Sequence, residues 1–411
     1  MRLKPISISF LSNFERDDFE RIAKLFFFGD KFLENFPVFE KLNDSFRNYF
    51  GGGFFHFFTG GRGALLCILR ALKIKKDDEI FVPGFTCNAL INPILALGAN
   101  PVYVDIDENL NLDPEDLQRK ISKSKRAQAI ILQYTFGNFA HVKPIQEIAS
   151  KHGLILIEDL AQALGLEIEG KKAGTFGDIS FLSFGKDKVI TCLSGGASLT
   201  FKKELFLKID DEYQKFTSPS ISFVKKELFY PILSKVVLPI YLPIGKGILY
   251  LSRKLNLILP SVFRSEKEGK LALVFCQKMP KAFGYLLYHQ FFKLEKFNLH
   301  RKSIAKIYKK AFQNKFSFIW PKTSIFLRFS LLTRRAENIR KYLKKKNIIL
   351  DDGWHSQVIL PPKTNLRKMK YTKGTCPRAE KLAKEILNLP THINISQKEQ
   401  EIIIKELWNL K

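Results

Sequence analysis

Lys188 stands five residues after Ser183 in the run GDISFLSFGKDK (177–188), and apolar Val189 and Ile190 follow it. A lysine that enters an apolar setting has its charged form disfavoured and its amine made nucleophilic, which suits covalent chemistry on a carbonyl. Lys186 is a second amine in the same run, and either lysine read alone is also explained as solvated charge. Upstream, Glu158 and Asp159 close the apolar run LILIEDL, with Gln162 three residues on, on the same face if a helix starts there. A carboxylate at a buried strand end either caps the next helix or pairs with a cationic ring nitrogen. Thr59-Gly60-Gly61-Arg62-Gly63-Ala64 joins an aromatic strand to an amphipathic helix. Gly61, Arg62 and Gly63 would there bring backbone N–H groups and a helix N-terminus to a phosphate. A further glycine pair, Gly195-Gly196, precedes the strand-like ASLTF.

A phosphate cradle, a carboxylate for a pyridinium nitrogen, a serine and a buried lysine are what pyridoxal 5'-phosphate requires of a protein. The elements that must position them alternate. Strand-like runs fall at 54–58, 79–84, 101–107, 127–134, 154–160 and 177–184, with amphipathic helices between, such as VKPIQEIASKHG (142–153). Continuous apolar strands separated by helices predict an α/β fold with a mostly parallel sheet covered on both faces, its ligand site at the carboxyl ends of the strands. Four regions follow: an N-terminal helical segment (1–50), a cofactor-binding large domain (51–205), an apolar basic insert (206–275), and a helix plus small α+β domain (276–411). A single helix is expected over about 279–313, and a helix pair around 377–388 and 396–409.

The insert is rich in proline, and its longest uncharged stretch, 236–245, is too short to cross a bilayer at about 20 residues per span. Pro239 and Pro243 are expected to break any helix there. It reads as a helical cap, a dimer-packing segment, or an interfacial segment with a basic rim over 225–260 set against anionic lipid.

The 411 residues are 45% hydrophobic and carry a net charge of +27, a composition able to build cores and unlike a disordered chain. Residues 1–200 hold 24 basic and 24 acidic side chains, 201–300 hold 17 and 8, and 301–411 hold 26 and 8. The half with the chemistry is thus neutral. With no aromatic-basic readout motif, that distribution argues against a nucleic-acid binder. Five scattered cysteines without a CxxC pair, and seven histidines without an HxH or HExxH pattern, predict neither a disulfide framework nor a metal site, and fit a reducing cytosol. No signal peptide is expected, because acidic residues interrupt the N-terminal apolar run early.

From about residue 40 onward the chain resembles the DegT/DnrJ/EryC1/StrS sugar aminotransferases of the fold-type-I pyridoxal-phosphate superfamily. The resemblance rests on DEIFVPGFT, ALGANPVYVDIDENLNLD, LILIEDLAQALG, AGTFGDISFLSF with its following lysine and GGA, and CPRAEKLAKEILNLPTH; it is weakest over 210–270. It implies that Lys188, in preference to Lys186, carries the cofactor covalently, and that Asp159 holds the ring nitrogen protonated. Gln162 would approach the phenolic oxygen, while Ser183 and the backbone of Gly61, Arg62 and Gly63 hold the phosphate. It further implies transamination of a keto group on a nucleotide-linked sugar, glutamate as the amino donor, and a homodimer. The chain departs from the family at Arg62 in the phosphate turn, at Cys87 where an aromatic ring is usual, at Gly185 in place of a histidine, and ahead of Lys278-Met279, which lacks the asparagine by which a partner subunit would reach the phosphate. A sugar dehydratase on the same cofactor, or a regulatory protein on a degenerate scaffold, are the alternatives.

Overall fold

The computed structural model describes residues 2–410. Its centre is a seven-stranded sheet whose strands we label β1 (Phe54–Phe58), β2 (Glu79–Pro83), β3 (Asn100–Val104), β4 (Ala127–Gln133), β5 (Ile155–Asp159), β6 (Ile179–Ser183) and β7 (Gly196–Thr200). The spatial order is β1-β7-β6-β5-β4-β2-β3. Strands β2 to β6 run parallel, and β7 pairs antiparallel with both β6 and β1. The strands are buried on nearly every residue because helices cover both faces, as their unbroken apolar runs require. The middle strands stand within one or two residues of their expected positions.

Alternation along β5 sends its two acids to opposite faces. Glu158 is fully buried and accepts hydrogen bonds from Tyr134 Oη (2.5 Å) and from the amides of Gly174, Phe176 and Gly177 (2.8, 2.7 and 2.6 Å). It pins the 174–177 loop in place and leaves Asp159 to face the sheet's carboxyl edge.

The smaller C-terminal unit has an antiparallel sheet of Ser317–Phe318, Arg328–Leu332 and Ile386–Pro390. Its separate core includes Tyr308, Phe312, Phe329, Leu389 and Ile403. Backbone pairings tie this unit to the rest: Ile6–Ser7 with Ile348–Ile349, Thr86–Cys87 with Ile359–Leu360, and a bridge between Asn138 and Ser324.

Two local expectations are corrected and one holds. The helix expected over 279–313 is two helices, Lys281–Phe291 and Leu294–Phe312, separated at Phe292-Lys293. The segment after Glu385 becomes the strand Ile386–Pro390, because its Ile-Leu-Asn-Leu alternation fits the middle of a small sheet. In the insert, helix Ile221–Val237 ends where Pro239 and Pro243 fall. After a 3-10 turn the chain kinks at Leu242, which is extended (φ −109°, ψ 129°), before helix Lys246–Lys254 begins, so the prolines break the run as expected. All five cysteines are free thiols.

Candidate active site

A cleft of about 740 Å³ opens at the carboxyl ends of the parallel strands. Gln133 ends β4, Asp159 ends β5 and Ser183 ends β6, and all three line it. The crossover connections of a parallel sheet bring these ends together from residues far apart in sequence.

The glycine turn forms one end of the cleft. Gly60 precedes helix Gly61–Ala71 in extended conformation and has no side chain to cap it, so the amides of Gly61 and Arg62 keep their hydrogen-bonding capacity, while the expected Gly63 amide is taken by the Gly60 carbonyl at 3.0 Å. The turn is pressed against two strands. A Cβ on Gly196 would lie 2.4 Å from the carbonyl carbon of Gly60 and 2.5 Å from the nitrogen of Gly61; one on Gly61 would lie 3.1 Å from Ser183 Cβ. Only glycine permits this approach. Ser183 Oγ has no hydrogen-bond partner among the described residues.

Arg62 turns away from the turn it belongs to. Its Nε lies 2.7 Å from Glu266 Oε1, an acid with no exposed surface, and its NH2 donates to the carbonyl of Ser261 at 2.8 Å. The guanidinium also stacks 4.4 Å over the Phe275 ring. The side chain therefore ties the turn to the segment after the insert, leaving the backbone as what the turn offers an anion.

The two lysines have separate fates. Lys186 Nζ pairs with buried Glu227 at 3.1 Å, donates to the carbonyl of Leu259 at 3.1 Å and lies 4.5 Å over Tyr230. Lys188 lines the cleft, and its Nζ has neither a hydrogen bond nor an ion pair among the described residues. Burial pushes the Asp159 carboxyl up to about 6, opposed by the amide of Ala161 (2.8 Å) and the charge of nearby Lys188. Gln162 lines the cleft as well, held by the amide of Phe136, which donates to its Oε1 at 2.7 Å.

Sequence reading missed what holds the Lys188 loop. Asn13 Nδ2 donates to the carbonyl of Lys188, and Asn13 Oδ1 accepts from Arg301 at 2.8 Å. Arg301 is fully buried and donates also to the carbonyl of Val189 at 2.6 Å and to Asn298 at 2.7 Å. No local motif marks these residues; they lie 175 and 113 positions from Lys188, on elements that only the tertiary fold brings there.

Phe85 is fully buried and Cys87 caps helix Asn88–Ala96 at the cleft wall. Trp354, edge-on to Phe85 and Phe136 at 5.6 and 5.3 Å, is an aromatic ring at the cleft that spacing did not single out for that place. His355 also lines it, paired with Asp351 at 3.0 Å. Away from the cleft, Asp107, Glu108 and His141 bring three possible metal-ligating atoms within 4.8 Å of one another.

A seven-stranded sheet with these groups at its carboxyl edge defines the fold-type-I architecture of pyridoxal-phosphate enzymes. The structure of the Helicobacter pylori aminotransferase PseC, involved in pseudoaminic acid biosynthesis, overlays with a TM-score of 0.74, covering 98% of both chains at 18% identity. The model of the DegT/DnrJ/EryC1/StrS aminotransferase family matches residues 17–225 and 263–408, and the chain belongs to that family. It is 40% identical over 139 residues to GDP-perosamine synthase of Vibrio cholerae, 34% of this chain and 37% of that protein; the match thus spans little more than a third of that relative's length. A pleiotropic regulatory protein of Geobacillus stearothermophilus is 23% identical over 356 residues, 84% of this chain and 82% of that one. The family is pyridoxal-phosphate-dependent, and the uncapped helix N-terminus, unpartnered Ser183 hydroxyl, buried Asp159 and unpaired Lys188 amine fit that cofactor.

Proposed function

We propose that the protein is a pyridoxal-phosphate-dependent aminotransferase acting on a keto group of a nucleotide-linked sugar, with glutamate as amino donor. The observation that carries this reading is the unpaired Lys188 amine beside buried Asp159 in a cleft at the strand ends, while Lys186 is engaged elsewhere. When bound, the cofactor supplies the electron sink for deprotonation at a carbon bearing nitrogen. Lys188 Nζ would hold the cofactor between turnovers and then move the proton off and onto the substrate carbon. Asp159, driven into its ionised form by a cationic ring nitrogen, would keep that nitrogen protonated. The Gly61 and Arg62 amides with Ser183 Oγ would anchor the phosphate, Gly63 allowing its close approach, and Gln162 would bound the ring edge. We expect a homodimer working in the cytosol.

The test takes the two half-reactions separately. Protein loaded with pyridoxal phosphate is mixed with glutamate, and conversion to the aminated cofactor is followed by absorbance. A panel of keto-sugar nucleotides is then added, and restoration of the aldehyde form identifies the acceptor. Amine product distinguishes transamination from dehydration. A second, regulatory reading has the long match to the pleiotropic regulatory protein in its favour; cofactor binding with no half-reaction toward any amino acid would favour it.

A further inference from the structure

The insert leaves an apolar surface that the chain itself does not cover. The segment Ile221–Lys254, two helices joined through a kink at Leu242, passes for a membrane span by length and composition alone, and only 33% of its most apolar window is buried. Val236, Ile240 and Ile244, around the kink at Leu242, and Leu251 and Leu255, one turn apart on the second helix, are 67%, 45%, 59%, 52% and 60% exposed. Ile221, Tyr250 and Leu257 are exposed as well. Phe27 and Phe28 end the neighbouring helix, whose Phe26 ring lies 6.0 Å from Phe229. Contiguous exposure on this scale marks an interaction surface.

The charge on this surface selects its occupant. Residues 228–265 contain Lys235, Lys246, Arg253, Lys254 and Arg264 and no acidic side chain. The nearest acids on either side, Glu227 and Glu266, are buried against Lys186 and Arg62. A two-fold axis through this patch would set it on itself, cation facing cation. An anionic lipid surface complements it, taking apolar side chains into the acyl boundary and lysines at the headgroups. A span across the bilayer is disfavoured. The run carries Lys225, Lys226, Lys235 and Lys246, Lys235 stacks 4.4 Å from the Phe19 ring, and Tyr230 and Ile258 wall the active-site cleft.

We propose that the 221–257 segment docks the protein peripherally on an anionic membrane, seating the mouth of the cleft at the lipid surface. This stands whatever reaction the cleft performs. The test is co-sedimentation of the full chain with vesicles of phosphatidylcholine, with and without phosphatidylglycerol, at rising salt. We expect binding to the phosphatidylglycerol vesicles alone, released as salt screens it. Lys246→Glu with Lys254→Glu, and separately Ile244→Ser with Leu251→Ser, should each weaken it by about tenfold or more. All four side chains are exposed, so circular dichroism should be unchanged. No sedimentation with anionic vesicles overturns the proposal, as do variants that bind like the parent. A dimer lost in the Ile244→Ser/Leu251→Ser variant, with no vesicle binding by the parent, assigns the surface to a second copy instead. Retention in cell membranes through alkaline carbonate overturns peripheral docking in favour of a span.

Discussion

Lys186 Nζ lies 3.1 Å from Glu227 Oε2, with the lysine side chain 10% and the glutamate 1% exposed. This pair fastens the loop carrying both candidate lysines to the first helix of the insert, and it decides between them. An ammonium held by a buried carboxylate is a poor nucleophile, whereas Lys188, two residues on, has no such partner. Borohydride reduction of the loaded protein followed by peptide fragmentation should place the cofactor on Lys188. Lys188→Gln should abolish the adduct and both half-reactions while leaving the denaturation midpoint nearly unchanged. Lys186→Met should keep the adduct but cost about 3–5 kcal/mol of stability, since it leaves Glu227 buried without its partner.

Asp159 gives the cofactor-free protein a particular dependence on pH. Its folded value of about 6 lies above the ordinary 3.8 because burial disfavours the carboxylate, so the folded state binds this proton more tightly than the unfolded one. The contribution is therefore fully present below about pH 4 and lost as pH rises through 6. At 1.36 kcal/mol per pH unit it amounts to about 3 kcal/mol. Chemical denaturation of the cofactor-free protein between pH 4 and 7, compared with Asp159→Asn, should reveal that slope in the parent and remove it in the variant. Cofactor addition should also remove it, since a cationic ring nitrogen favours the ionised acid.

Gly196 sets how closely β7 approaches the phosphate turn. An alanine there would put its Cβ within 2.5 Å of Gly60 and Gly61 backbone atoms, which are not the ends of flexible side chains. Gly196→Ala should cost about 1–3 kcal/mol by overpacking and displace the turn. Cofactor titration should find affinity reduced by about tenfold or more, an effect that a purely structural position distant from the turn would not produce.

Arg62 separates a phosphate contact from a packing contact. Its guanidinium faces Glu266, which is completely buried, and burial already pushes that acid up against the pull of the arginine. Arg62→Ala should cost about 3–5 kcal/mol, and Arg62→Met with Glu266→Gln should restore most of it. If the double variant also regains cofactor affinity in a phosphate-competition assay, the backbone alone holds the phosphate.

Much of this arrangement was legible because it is local. The central strands announce themselves as apolar runs bounded by glycine and acid, and the strand-end residues Asp159, Ser183 and Lys188 lie where those runs stop. The prolines at 239 and 243 were a local signal too, and the chain does kink between them, at Leu242. What escaped is carried by long-range contact. Nothing in the sequence near Arg62 tells that its charge is spent on Glu266, 204 residues away. Trp354 reaches the cleft because Ile359–Leu360 pairs with Thr86–Cys87, a contact between two dipeptides too short to carry a pattern.

The Asn13–Arg301 pair makes the sharpest test of long-range positioning. Asn13 is 1% exposed and serves both sides, accepting from Arg301 at 2.8 Å and donating to the Lys188 carbonyl. Asn13→Ala leaves a buried guanidinium nitrogen and a buried carbonyl each short of a partner, which should cost about 2–4 kcal/mol. Because the substitution touches neither Lys188 Nζ nor Asp159, cofactor should still attach. The loop that aims the amine is slackened, however, so the rate of proton movement should fall while substrate affinity holds, lowering kcat with KM nearly constant. Stopped-flow absorbance of the glutamate half-reaction measures that split. A rise in KM with kcat unchanged would instead mean that Asn13 shapes the substrate pocket and does not position the lysine.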